Sequence, residues 1–449
     1  MLLARRSASA FSFTALALAC ALPAHAAGVV GTGTAMSCTE AALDTALAGG
    51  GAVTFNCGAA PIAIPITVSK QLATATQIDG GGLITLQGDG NVRLFDLSGA
   101  ASYTMTGVVL SDGMTTGNGA AILIDGGTLL LDNVTLMDNA GTGGFSSGGA
   151  IYSYNGAQVT LQRVTATANT AQYGGAITTD ATSTLTLTEF IADGNTAVND
   201  GGAVLHMGTA LAITQSLFTG NQSSTLGSNG GAIIVAPNTT STLSIANSTF
   251  HSNQHTGGGI GSALSVTGGV TAGTVTNSTF ANNDGAPGTI AVSGNSQLTL
   301  RNTIVSNAMG FANCAVFGMG SIVDGGNNLQ WGGIQTLSCG ATMLEDDPLL
   351  APLANNGGFS QTMALQTGSP AINTGSGCPA MDQRGVARPI GPACDIGAFE
   401  SPLGFTGAPP AATTAAIPTL GHAGLALLSA LVAGMGVLRQ RRFLSRNSL

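Results

Sequence analysis

Residues 148–204 read GGAIYSYNGAQVTLQRVTATANTAQYGGAITTDATSTLTLTEFIADGNTAVNDGGAV. The phrase GGA followed by an aliphatic residue opens at Gly148, Gly174 and Gly201 and returns at Gly230, with degenerate copies at Gly119, Gly261 and Gly288. Successive starts lie 29, 26, 27, 29, 31 and 27 residues apart, within the range of stacked supersecondary repeats.

Between these phrases an asparagine recurs, at Asn139, Asn169, Asn195, Asn221, Asn253 and Asn283. Ten residues before it stand Leu129, Val159, Leu185, Leu211 and Leu243; eight before it stand Leu131, Leu161, Leu187, Ile213, Ile245 and Val275. Apolar and polar positions thus alternate with the period of a strand that buries one face. A unit of about 28 residues holds two or three such strands, cannot bury its apolar face alone, and is stable only when stacked. The predicted fold is all-β: a single-stranded right-handed parallel β-helix of about ten coils over 66–344, each coil rising by about 4.8 Å.

Stacking gives the repeated residues their roles. An asparagine at a bend can bond its own backbone and the amide of the next coil, building an internal ladder, and the glycine pair permits the sharp corner. Asn133, Arg163, Glu189, Gln215, Asn247 and Asn277, six residues before each ladder position, read as an outward bend. Arg163 and Glu189 should be neighbours there, an exposed pair contributing about 0 to 1 kcal/mol.

An open β-helix needs its ends closed, and 27–65 reads as an N-terminal cap. Ser37-Cys38-Thr39-Glu40 has capping-box spacing, and Ala41, Ala42, Leu43, Ala46 and Leu47 fall on one side of a short helix that Gly49 ends.

Residues 1–26 read as a cleavable export signal: Arg5 and Arg6, an apolar stretch from Phe11 to Leu22, then Ala24-His25-Ala26. Its removal takes away Cys20 and leaves six cysteines, an even number suited to an oxidising compartment. Each sequence-local couple brackets one short segment: Cys38 with Cys57, Cys314 with Cys339, Cys378 with Cys394. A closed loop of about 15 residues contributes roughly 3 kcal/mol by chain entropy.

At the other end, 401–416 is a Pro, Ala and Thr linker, and 417–449 opens with Ile417-Pro418-Thr419-Leu420. An uncharged apolar run to Leu438 and the cluster Arg439, Arg441 and Arg442 follow. The run approaches the roughly 20 residues a membrane-spanning helix needs, and the arginines should hold its far end in the cytoplasm. This order resembles the IPTL-type C-terminal sorting domain of Gram-negative bacteria. The resemblance implies an inner-membrane sorting protease as partner, membrane contact through the helix, and a final place in the envelope, at the cell surface or outside the cell.

Only 7% of the residues are charged, and 67 are glycine. Six of the twelve basic residues lie in the two terminal segments, so the body carries a net charge of −15. Such a body repels phosphate backbones, which argues against nucleic-acid binding.

Two further resemblances concern the body. FTGN at Phe218–Asn221, FHSN at Phe250–Asn253 and FANN at Phe280–Asn283, alternating with GGAI, resemble the repeat of chlamydial polymorphic outer-membrane proteins, which implies a surface β-helix. The apolar helix and arginines at the C-terminus depart from that family, which ends in a transporter barrel. Residues 345–400, with Asp347-Pro348-Leu349-Leu350, Gly368-Ser369-Pro370-Ala371-Ile372-Asn373, Asp382-Gln383-Arg384-Gly385, Arg388-Pro389 and Asp395-Ile396-Gly397-Ala398-Phe399-Glu400, resemble the choice-of-anchor Q module. Its charged residues lie in Pro and Gly turns and read as loops that close the open end of the rod.

Polysaccharide lyases and glycoside hydrolases of the pectate-lyase-like type share such folds and need clustered carboxylates. The best candidates are Asp138, Asp193 and Asp200, all near one bend. His206, His251 and His255 show no metal-ligand spacing and read as exposed bend residues. Glu345, Asp346 and Asp347 offer a weak site for a hard cation; no cofactor is implied. The leading expectation is a non-catalytic surface adhesin or structural protein that contacts a glycan or a ligand on a host or neighbouring cell. The alternative is the lyase or hydrolase.

Overall fold

The computed structural model describes residues 28–402 apart from 286, 308–310 and 334–337. The export signal and the sorting tail lie outside the described residues. Among those described, every strand-to-strand ladder is parallel, and the chain winds into a β-solenoid of about twelve turns. The solenoid has a 22-stranded major sheet, a ten-stranded second sheet and a six-stranded third sheet of two-residue strands.

The expected columns match the register. Leu129 pairs with Val159, Leu185, Leu211 and Leu243 in succession, and Leu131 with Leu161, Leu187, Ile213, Ile245 and Val275. All are buried and point inward. Phe190, Phe218, Phe250 and Phe280 stack in the same interior, with the last two ring pairs 4.8 and 4.5 Å apart and nearly parallel.

Besides the GGA corner, two bends per turn adopt left-handed backbone. The first holds Asn133, Arg163, Glu189, Gln215, Asn247 and Asn277, at φ from +45° to +54°. The second lies one residue before each ladder asparagine, for example Asp138 at +55° and Gly194 at +62°. The GGA phrase also has a steric cause. Gly201 adopts φ +71°, and a Cβ on Gly202 would lie 1.9 Å from the carbonyl oxygen of Gly231 in the next turn.

The ladder asparagines are fully buried. The Oδ1 of Asn195 accepts the N–H and Nδ2–H of Asn169 at 3.1 and 2.9 Å, and its own Nδ2 donates to the carbonyl of Ala166 at 2.9 Å. The same pattern runs from Asn139 to Asn283. The expected bond between coils is present but runs to the preceding turn and not the next, and of the expected bonds to the residue's own backbone, among the described ladder residues, Asn283 makes one, to Ala281.

Four expectations need correction. The solenoid starts earlier than residue 66, because Gly28–Val30 pairs with Gly51–Phe55, which pairs with Thr76–Gly88; those first strands carry no GGA phrase to announce them. The cap of helix Glu40–Leu47 is Thr39, which accepts from Ala42 N–H at 3.2 Å. Glu40 turns instead to Thr67, Val68 and the buried Lys70, whose Nζ lies 2.7 Å away, and Ala41 is exposed. Two of the three histidines are interior: His206 ends the wholly buried strand Val204–His206, its Nδ1 2.8 Å from Thr179 Oγ1, and His255 is 4% exposed.

The fourth correction concerns 345–401, which covers the flank of the solenoid. Outward-facing Ile304 and Leu329 form a cluster with Leu365, Ala371, Ile396 and Phe399. Gly397 N–H donates to Asn302 at 2.8 Å, Asn277 Nδ2 to Asp395 at 3.0 Å, and Thr249 Oγ1 to Gln383 at 2.6 Å. The outward bend at Asn277 is therefore not exposed but lies beneath this segment, and Asn247 is buried too. Apolar residues at outward positions of the last turns need a cover, and the segment supplies it.

Arg163 does lie between neighbours of opposite charge, with Asp132 at 2.6 Å and Glu189 at 3.9 Å. All three expected disulfides are present.

Replacing Asn195 by Ala orphans two donors of Asn169 and one carbonyl. With about 1 to 3 kcal/mol per buried group, denaturant unfolding should show a loss of at least about 3 kcal/mol, whereas Asn133→Ala, at an exposed left-handed bend, should cost about 1 to 2 kcal/mol.

Burial holds His206 down to about 4. The unfolded chain therefore binds the extra proton between pH 6.5 and 4, and up to about 3 kcal/mol of stability should disappear as pH falls through that window. His206→Val, matching Val235 in the next turn, should remove this dependence; an unchanged acid limb would refute the assignment. For Glu40 burial works against the charge, but hydrogen bonds from Lys70, Thr67 and Val68 outweigh it and hold the carboxyl at about 2. Its contribution should be present above pH 4.5 and lost as pH falls towards 2, and Glu40→Gln should flatten that lower window in acid titrations of stability.

Candidate functional site

The major sheet presents outward side chains from Ser102 to Arg301. One strand supplies Thr184, Thr186 and Thr188, and its neighbours add Thr160, Thr214 and Ser244 in register. Parallel pairing without loops between levels spaces these rows about 4.8 Å apart. On the strands that form these rows charge enters at one border, with Asp132 and Arg301, and adjoining strands of the same sheet add the exposed Asp79 and Asp193.

The three aspartates expected to form a carboxylate cluster occupy different places. Asp138 stands in a left-handed bend, one level below Ala168 and two below Gly194. Asp193 ends strand Ile191–Asp193 in the level of Gly194, so two levels, about 10 Å of rise, separate it from Asp138. Asp200 lies at the GGA corner of the coil, where Oδ1 accepts both the N–H and Nδ2–H of Asn229 at 2.7 and 3.1 Å. Burial raises Asp193, and burial together with the charge of Asp112 raises Asp138. Asp112, directly below Asp138 in the column, is the closer carboxylate neighbour and was hidden because no GGA phrase fixes its register by eye.

At the acidic turn, Glu345 and Asp346 are exposed, Asp346 Oδ1 accepts from Asp347 N–H, and Asp347 Oδ1 accepts from Leu349 N–H. The carboxylates shape the turn. Among the described residues no group of three or more His, Cys, Asp or Glu is arranged to hold a metal.

Two surface cavities of about 440 and 290 Å³ lie beside the N-terminal helix and at the Cys378–Cys394 bridge. Between them they carry one carboxylate, Asp44, and it is paired with Lys70 at 2.6 Å.

In the flank segment the charges are structural. Arg388 meets Glu400 at 2.9 Å with both side chains 1% exposed, and Arg384 meets Asp382 at 2.6 Å while lying 3.6 Å over the ring of Phe399. Burial pushes Asp395 up to about 6, against hydrogen bonds from the N–H groups of Asn373 and Ser401.

One surface feature escaped the sequence reading. Tyr152 and Tyr154 both point outward from strand Ile151–Tyr154, with ring centroids 5.8 Å apart. The signal was the alternation YSY directly after a GGA phrase.

The family model of the IPTL-CTERM motif matches residues 415–442. No curated protein and no solved structure matches the chain. The motif suggests a C-terminal sorting signal for an exported protein, and a β-solenoid fits a surface protein. Among the described residues no helix is long and apolar enough to cross a membrane; the apolar run at 420–438 lies outside them.

Proposed function

We propose that this protein is a non-catalytic cell-surface scaffold, delivered by its N-terminal export signal and sorted by its C-terminal tail. The observation that carries the reading is the outward face of the major sheet. It is long, nearly uncharged and set with short hydroxyl side chains, while the candidate carboxylates are spread over separate levels and corners. A hydrolase needs two carboxyl groups across one bond, and a contact surface needs area and regularity.

On this reading the winding is right-handed, as nearly all parallel crossovers are, and 345–400 serves as a choice-of-anchor Q module. The segment 420–438 holds the chain in the inner membrane until a sorting protease acts. The mature body then contacts a glycan or a ligand on a host or neighbouring cell, and its acidity excludes nucleic acid. The lyase or hydrolase alternative has less support, since Asp138 and Asp193 would act across two levels and Asp200 from another corner; the adjacent pair Asp112 and Asp138 is what favours it.

Fractionation of cells expressing the full chain, with the intact mass of the mature protein, tests the sorting. The expected species starts at Ala27, lacks Arg439, Arg441 and Arg442, and resides in the envelope or medium; an uncut cytoplasmic chain would overturn the proposal. Incubation with neutral and acidic polysaccharides should release no new ends, and cleavage abolished by Asp193→Ala would establish the enzyme instead.

A further inference from the structure

The second sheet carries a feature that neither the hydroxyl face nor the asparagine ladder uses. Strand Ile151–Tyr154 turns Ile151 and Ser153 into the core and leaves Tyr152 and Tyr154 outward and half-buried. Their rings are tilted by 39° at 5.8 Å. In the preceding level Leu123 lies beside Tyr152 and Asp125 beside Tyr154, and one level further Asp96 lies beside Leu123.

The polar groups around the rings are held in place. Asp125 stands beside Tyr154 in register, and Asn155 Nδ2 donates to Asp125 Oδ1 at 2.7 Å. Asn155 N–H donates to Asp180, which also takes the N–H groups of Thr182 and Ser183. Arg93 pairs with Asp96 at 3.0 Å, and its Nε and Nη2 donate to the carbonyls of Gly119 and Asn118. Side chains borne on strands and fixed by such bonds lose little freedom when a ligand arrives.

We infer that this platform binds an uncharged glycan, with sugar rings lying against Tyr154 and Tyr152 and their hydroxyls meeting Asp125 and Asn155. The apolar C–H face of a pyranose matches an aromatic face, and its edge hydroxyls need carboxylate and amide partners beside it. Charge selects the class. Asp96, Asp125 and Asp180 surround the rings with only Arg93 to offset them, on a body of net charge −15, so uronate polymers are repelled. The inference deepens the scaffold reading and rests on it.

The test is isothermal titration of the purified full chain with three neutral probes, N-acetylchitohexaose, cellohexaose and maltohexaose, and with hexagalacturonate as the acidic one. At least one neutral probe should bind with Kd below about 1 mM, and the acidic one should not. Tyr154→Ala and Tyr152→Ala should each weaken binding roughly tenfold, Tyr154→Phe should keep most of it, and Met36→Ala, at an exposed site before the N-terminal helix, should leave it unchanged. Binding by none of the neutral probes, equal binding of hexagalacturonate, indifference to both Tyr→Ala changes, or loss through Met36→Ala would each overturn the platform. Those failures leave a surface-located, non-cleaving scaffold standing, whereas cleavage of a bound probe would sink the scaffold and keep the platform.

Discussion

Through the central turns of this solenoid, from Gly113 to Asn283, each level depends on the buried asparagine of its neighbour. At the second bend the chain turns sharply inside a dry interior, and the backbone groups freed there have no water to satisfy them. One Oδ1 accepts from two donors of the preceding asparagine while Nδ2 of the same side chain donates to a carbonyl of that preceding turn, so a single side chain closes three bonds between levels. The register of the strands follows, because a slip by one residue would remove the asparagine from its column and turn every inward leucine outward.

The same stacking makes the interior tolerant of polar residues where the column supplies partners and costly where it does not. Ser216, Ser248 and Ser278 form a second ladder of hydroxyl to backbone N–H bonds. His206 has a partner for Nδ1 only, and neither ring nitrogen of His255 has one in the structure. Burial lowers both pKa values, so the neutral imidazoles sit among valines and serines with their protonation suppressed.

The flank segment solves a different problem. Its buried pairs, Arg388 with Glu400 and Arg384 with Asp382, cost desolvation that is offset as further donors and acceptors of the four side chains are met. Here Asp382 also takes the N–H groups of Arg384, Val386 and Glu400, and Glu400 those of Ile390 and Asp395. The result is a rigid, turn-rich plate whose apolar side, from Leu365 to Phe399, fits the outward Ile304 and Leu329. Without strands of its own in the stack beyond the pair Leu344–Glu345, it is ordered by these ions and by the disulfide Cys378–Cys394.

Sequence by itself determined what repeats: the winding, the inward columns from Leu129 to Val275, the asparagine positions, and the three cysteine couples that bracket local loops. A period of two inside a period near 28 leaves few other folds, since one face must be buried and only stacking buries it. Tertiary structure alone decided what depends on distance between levels. The short strand Val204–His206 shows no alternation that would mark His206 as internal, and Asp138 and Asp193 look adjacent until their turns are counted. The charged turns of 382–400 read as an end cap until the outward Ile304 and Leu329 show which surface was left to cover. Linear spacing fixes a residue's place within its turn, whereas its neighbours across turns and beneath a later segment are set only once the whole stack exists.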